Sequence, residues 1–216
     1  MKDRWFTPGS VLCAIFAAAL ILGLAVTVTV HFRPLYYHDM EAMSIAASAG
    51  MTEADVRANY DALIDYNRPF QQGDLVFPSL PMSESGRIHF EEVKQIFDVF
   101  FALLIIGAAG LVLLGGRLLR AGRRKFLALG AVLAVAVPGA VGVLLAVAGW
   151  DRAFTVLHGV FFDNDFWVFD SLADPVILIL PDGFFFHCLV MIIALIVLLA
   201  GICFTLGVSP RKNRRG

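Results

Sequence analysis

Four long apolar runs decide most of what this chain can fold into. They cover approximately residues 9–30, 96–116, 126–148 and 184–207, and roughly 20 helical residues at about 1.5 Å rise each are enough to cross a bilayer. Backbone N–H and C=O groups in lipid must pair within the chain, which leaves only helices and closed barrels. The runs are continuously apolar, without the period-two alternation of a barrel strand, so they predict helices. The 16% charged residues and the mean hydropathy of +0.78 agree, since a soluble domain carries about a quarter charged residues. The expected architecture is an all-α polytopic membrane protein. It is one membrane domain over residues 1–216, with four transmembrane helices joined by two outer loops, 31–95 and 149–183.

The first run follows Lys2 and Arg4. Its apolar core is too long for a signal peptide, and no small-x-small cleavage site precedes His31, so an uncleaved anchor is expected. Orientation follows from the bases. Lys2 and Arg4, the group Arg117, Arg120, Arg123, Arg124 and Lys125, and the group Arg211, Lys212, Arg214 and Arg215 make up eleven of the 17 Lys and Arg. With four spans all three groups fall on one side, which the positive-inside rule makes cytoplasmic, with both termini. The opposite side holds loop 31–95, with ten acids and five bases, and loop 149–183, with six acids and one base. Cys13, Cys188 and Cys203 all fall inside the spans and read as small apolar packing residues.

Within the first outer loop, "MTEADVRANYDALIDYNRPF" has a helix start at Thr52 with Asp55 three residues on. Val56, Tyr60, Leu63 and Ile64 share one helical face. Such a helix can lie on the membrane surface or pack against the second loop. "QQGDLVFPSLPMSESG" reads as loop. A further helix begins near Ser83 or Glu84 and runs into the second span through "RIHFEEVKQIFDVFFALL". It carries His89 and Glu92 about 60° apart, with Lys94 and Asp98 paired at i, i+4. The second outer loop contains apolar pieces too short to span, so it is expected to be interfacial or partly re-entrant.

His89 and His158 both stand at the outer membrane boundary with carboxylates nearby in sequence: Glu91 and Glu92 for the first, Asp163 and Asp165 for the second. Imidazole takes up and returns a proton near neutral pH, and a carboxylate on its other nitrogen would fix the tautomer. The plainer reading of interfacial histidines is hydrogen bonding to headgroups or loop carbonyls. A zinc or calcium site is weakly signalled, because HExxH, paired histidines on one turn and EF-hand spacing are all missing. A serine nucleophile lacks G-x-S-x-G. His31, His38 and His187 have no supporting motif, although His187 in "FFFHC" can face the bundle interior. Asn164 and the Trp167 indole can donate to an ester carbonyl, and Asp163, Asp165 and Asp170 can receive an ammonium. Asn and Asp also make turns, and aromatics anchor loops at interfaces, so both readings stay open here.

"HFEEVK" at the outer end of span two and "FTVLHGVFFDNDFWVFD", followed by "LILPDGFF", resemble the lipoprotein intramolecular transacylase (Lit) family of bacterial membrane proteins, as does "LIDYNRPF" upstream. The resemblance runs from about residue 50 to 190. It implies transfer of the sn-2 acyl chain of a diacylglyceryl lipoprotein onto the α-amine of its N-terminal cysteine, giving the lyso form. His89 and His158 match the family's two activity-linked histidines. His158 would be the base, His89 its proton partner, Glu92 the orienter of His89, and Asn164 with Trp167 the donors near the oxyanion. Where the family pattern more usually has Asp, this chain has Glu92. The implied partners are diacylglyceryl lipoproteins and membrane lipid, with no nucleic acid, no cofactor and no metal. The implied site is the outer face of the bacterial cell membrane. A non-catalytic binding or assembly protein that docks through its acidic loops is one alternative, and a metal-dependent lipid hydrolase is another.

Overall fold

The structure, a computed structural model, describes residues 7–209. Lys2, Arg4, Arg211, Lys212, Arg214 and Arg215, on which the orientation argument partly rests, lie outside them. The described elements are α1 (Pro8–His31), α2 (Arg33–Ala42), α3 (Ile45–Ser48), α4 (Glu53–Tyr66) and α5 (Glu84–Gly110). A five-residue π turn, Leu111–Gly115, follows and leads into α6 (Gly116–Arg120). Then come α7 (Lys125–Ala148), α8 (Trp150–Phe161), a 3-10 turn at Pro175–Ile179 and α9 (Asp182–Val208). Among the described residues there is no strand. Four helical stretches among the described residues are long and apolar enough to cross a membrane: Pro8–His31, Glu84–Arg120, Lys125–Leu145 and Asp182–Val208. The start of the second carries Glu84, Arg87, Glu91, Glu92 and Lys94, which places its bilayer-crossing part from about residue 96 onward.

The described residues form two compact units. The first comprises residues up to 26, 100–143 and those from 192 onward. Its helices have no hydrophobic effect to drive them together in lipid, so close backbone approach must do that work, and small residues permit it. A Cβ placed on Gly23 of α1 would stand 2.5 Å from both the Leu104 amide nitrogen and the Phe100 carbonyl oxygen of α5. The reciprocal contact lies at Gly107, whose Cβ would stand 2.6 Å from the Leu20 nitrogen and 2.7 Å from the Phe16 oxygen. Gly130 of α7 approaches Ala17 of α1 in the same way, and Gly207 of α9 approaches Ala128. Pro138 sits inside α7, where neighbouring groups in a membrane bundle can satisfy the carbonyl it frees.

The second unit comprises Thr27–Val99 and Leu144–Met191. Thr52 caps α4 by accepting from the Asp55 amide at 3.1 Å, as the sequence predicts. The α4 face of Val56, Tyr60, Leu63 and Ile64 is buried in a core shared with Val176, Ile179, Leu180 and Phe184. Of the two placements open to this helix, it therefore takes packing against the second loop. Tyr36 of α2 stacks on Tyr60 with ring centroids 3.6 Å apart, and its hydroxyl donates to the Ile179 carbonyl at 2.7 Å. A buried tyrosine needs such a partner for its polar end. On the surface of this unit Arg33 pairs with Asp61 at 2.8 Å and with Asp65 at 2.5 Å.

Candidate active site

Helix α5 delivers His89, and its start is clamped from a distant part of the chain. Ser83 caps the helix by accepting from the Gly86 amide at 3.0 Å. Asp174, itself buried, accepts from the Ser83 amide at 2.7 Å and from the Ser83 hydroxyl at 2.6 Å. Only glycine fits at 86, since a Cβ there would stand 2.3 Å from Asp174 Oδ1. Asp174→Ala would leave the Ser83 amide without its partner and take one bond from the Ser83 hydroxyl, which keeps its contact with Ser85 at 2.9 Å, a loss of about 1–3 kcal/mol. The expected result is a melting temperature several degrees lower in detergent, with Ser83→Ala losing less because the backbone bond to Asp174 survives. An unchanged melting temperature for Asp174→Ala would show that the clamp does not hold the helix.

Helix α8 delivers His158, within the outer loop that the sequence predicts to be interfacial or partly re-entrant. Residues 150–161 are helical here, and the chain leaves the helix at Phe162, whose backbone is extended. His158 Nδ1 lies 2.8 Å from the Phe154 carbonyl oxygen, one turn back. A carbonyl can only accept, so Nδ1 carries the proton and Nε2 holds the lone pair. The carboxylates of Asp163 and Asp165 do not fix this tautomer; both residues are exposed. The Asp165 carbonyl instead closes a turn on the Val168 amide at 3.0 Å. The correction has a simple cause: in a helix the carbonyl four residues back is nearer than any side chain of the following loop.

The two imidazoles meet. Their ring centroids are 6.4 Å apart with planes inclined by 27°. Aromatic rings surround both. His158 has Phe154 at 4.0 Å, Trp167 at 4.7 Å and Phe162 at 5.6 Å between centroids. His89 has Phe162 at 4.8 Å and Phe169 at 5.4 Å. This apolar lining disfavours imidazolium. Burial, and secondarily the neighbouring His158, pushes His89 down to about 4. Burial also lowers His158, with the hydrogen bond to Phe154 opposing in part. Both rings are therefore neutral near pH 7, able to accept a proton at one nitrogen and donate at the other.

Glu92 lies one turn beyond His89, yet it does not orient that ring. Its Oε1 accepts from Asn164 Nδ2 at 2.8 Å, while its Oε2 is buried without a hydrogen-bond partner, as is His89 Nδ1. The other two such atoms among the described residues are His31 Nε2 and Asn67 Oδ1, the latter within "LIDYNRPF". Asn164 is also engaged by its own loop, its Oδ1 accepting from the Phe166 amide at 3.0 Å. Of the residues singled out in the sequence, His89, His158, Glu92, Asn164 and Trp167 thus converge, and Asp163 and Asp165 stay outside.

A further histidine, paired with a carboxylate, has no signal in the local sequence. His187 Nδ1 stands 2.9 Å from both carboxylate oxygens of Asp39, which is fully buried on α2. Nothing in either local sequence signals this partner, 148 residues away. Among the described residues no group of three or more His, Cys, Asp or Glu is arranged to hold a metal ion.

The family model for the lipoprotein intramolecular transacylase Lit matches residues 11–185. A search of curated proteins finds no match. Among solved structures, the in meso structure of the membrane-integral lipoprotein intramolecular transacylase Lit from Bacillus cereus is similar at 34% identity and a TM-score of 0.86, covering 92% of each chain. Two variants of that protein, with a histidine replaced by arginine or by alanine, are similar with TM-scores of 0.78 and 0.79, again at 34% identity. They cover 92% of this chain in both cases, and 88% and 90% of theirs. The all-helical fold, the four apolar helices and these matches make the chain a multi-pass membrane acyltransferase that belongs to the lipoprotein intramolecular transacylase family.

Proposed function

We propose that this family member moves the sn-2 acyl chain of a diacylglyceryl lipoprotein onto the α-amine of the lipoprotein's N-terminal cysteine. The product is the N-acyl, S-monoacylglyceryl (lyso) form. The observation that carries this reading is the meeting of His89 and His158 in an aromatic pocket, with His158 Nε2 left as a lone-pair nitrogen.

The reaction needs little else. The amine, with a pKa of about 8, must be unprotonated to attack, and the departing glycerol oxygen must gain a proton. In this reading His158 Nε2 takes a proton from the amine as its nitrogen bonds to the ester carbonyl carbon. The tetrahedral adduct then breaks its bond to the glycerol oxygen, and a proton returned through the histidine pair converts that oxygen to a hydroxyl. His89 is the proton partner, and the Trp167 indole N–H is the donor for the developing oxyanion, since Asn164 is engaged by Glu92 and by its own loop. Nucleophile and ester belong to one molecule, so positioning contributes up to roughly 7–11 kcal/mol in favourable cases, without a serine or cysteine intermediate. The charge pattern supports cytoplasmic termini and a site facing outward, where mature lipoproteins carry their lipid.

The test is expression in a strain that accumulates diacylglyceryl lipoproteins, followed by mass spectrometry of the N-terminal lipopeptide. The expected product gains an N-acyl group and keeps a single acyl chain on glycerol. Unaltered diacylglyceryl peptide from folded, membrane-inserted protein would refute the reading. In the purified system kcat at saturating lipopeptide should fall in acid. The sign follows from Nε2, which must be unprotonated to act; in the free protein burial already holds His158 below its ordinary value. A rate that stays flat down to pH 4 in folded protein would remove the base from the mechanism.

A further inference from the structure

We propose that Glu92 recognises the substrate's α-ammonium, with Asn164 holding the carboxylate in place for it; this rests on the acyl-transfer reading above. One oxygen of Glu92 is occupied by Asn164 at 2.8 Å, and the other is buried without a donor. The bases on the same helix are committed elsewhere. Arg87 bonds to Glu84 and Glu91, and Lys94 pairs with Asp98 at 3.4 Å while reaching the Arg68 carbonyl. A buried carboxylate oxygen without a donor is costly, and a ligand that brings both a positive charge and N–H groups removes the cost with a charge-assisted hydrogen bond. A primary ammonium meets both conditions. A phosphate or a carboxylate would be repelled, and a neutral hydroxyl would supply a donor without the charge.

The placement fits the chemistry on either side of the reaction. His89 is one turn back on α5, and Asn164, which grips Glu92, follows His158 by six residues, so an ammonium seated on Oε2 is presented to the histidine pair. One N–H stays on Glu92 while His158 Nε2 removes another proton, leaving a neutral amine. That first proton leaves His158 for solvent; the nitrogen–carbon bond then forms as Nε2 takes a second proton from nitrogen, the carbon–oxygen bond to glycerol breaks, and the glycerol oxygen receives that second proton. The balance is an ammonium and an ester in, an amide, an alcohol and one proton out. The product's amide nitrogen is neutral, so it loses its hold on Glu92 and the product is released.

The experiment compares binding of two diacylglyceryl-cysteine peptides, one with a free α-amine and one N-acetylated, to the full-length protein in nanodiscs. Wild type should prefer the free amine on the order of tenfold or more, as expected of a hydrogen bond to a charged group. Glu92→Gln, checked for folding by thermal unfolding, should bring the two peptides to within about twofold and raise KM more than it lowers kcat. Glu92→Asp, which keeps the charge, should restore part of the preference. A Glu92→Gln variant that still selects the free amine would overturn the proposal while leaving acyl transfer intact. Failure of wild type to form lyso product would instead overturn the acyl-transfer reading, and the binding data would still report on the ammonium. Should Glu92→Gln not fold, an N-trimethyl peptide tested on wild type decides. It keeps the charge without N–H donors, and affinity equal to that of the N-acetyl peptide supports a hydrogen-bonded seat. Affinity for the N-acetyl peptide equal to that for the free amine overturns it.

Discussion

His158→Asn should bring lyso-lipoprotein formation down by about 10²–10⁴-fold, the usual contribution of a general base, while leaving the protein folded. The substitution is chosen for geometry. The asparagine amide nitrogen falls near the position of imidazole Nδ1, so it can still donate to the Phe154 carbonyl that His158 contacts at 2.8 Å. What is removed is Nε2, the atom with the free lone pair. The loss corresponds to roughly 3–5 kcal/mol in the activation barrier. His158→Gln makes the complementary test: its amide reaches toward the Nε2 position but is not basic, so it should be equally inactive. The measurement is the initial rate of product by mass spectrometry, with thermal unfolding as the control for fold. An Asn variant retaining a tenth of the rate or more would show that the ring does not act as the base. His89→Ala is less clean, because it also empties space among Phe162, Phe169 and Phe90 and adds a cavity cost to any chemical loss.

The second large effect should come from α1 and α5. Gly23→Val is expected to remove most of the folded protein from the membrane fraction. The atoms a Cβ would strike at 2.5 Å are the Leu104 nitrogen and the Phe100 oxygen, which are backbone and cannot turn aside. The helices must separate, and overpacking of this kind costs about 1–3 kcal/mol and sometimes more. The lost close approach adds to that, against a total stability of about 5–15 kcal/mol. Gly107→Val strikes the reciprocal contact and should behave alike, and the double Gly→Ala variant should be worse than either single Ala. Gly201, where a Cβ meets nothing within 4 Å, is the control, and Gly201→Ala should be near neutral. Yield and melting temperature in detergent decide the matter. Indifference to Gly23→Val would mean that these helices do not meet as closely as described.

The sequence was informative wherever the signal is local. Apolar runs of bilayer length located the spans, Thr52 and Asp55 located the start of α4, and Ser83 marked the beginning of α5. Each of these depends on residues within a turn or two of one another. Helix α8 was missed because its aromatics and its His-Gly dipeptide imitate an irregular interfacial segment, and the loop after it is dense in Asp and Asn. Side-chain partners across the chain were beyond reach for a different reason. Asp174 lies 91 residues from Ser83, Asn164 lies 72 from Glu92, and His187 lies 148 from Asp39, and no periodicity encodes such pairs. The two histidines could be singled out one by one from their motifs. Their meeting, and the use of a main-chain carbonyl in place of a carboxylate to set the tautomer of His158, needed coordinates.

The π turn at Leu111–Gly115 has a consequence for how this span can vary in length. A π turn absorbs one extra residue in a widened turn, where an extra residue in regular α-helix would rotate everything after it by about 100°. Arg117 and Arg120 of α6 therefore leave the helix on a different side from the one an uninterrupted α-helix would give them. Deleting one residue from 111–115 would turn the segment back into regular α-helix at nearly the same rise. The basic group beyond it would keep its facing and its depth, because the widened turn had already absorbed that one residue. In an alignment, a one-residue gap at this point would mark loss of the π turn, with the facing of the basic group and the membrane thickness it serves both left as they were.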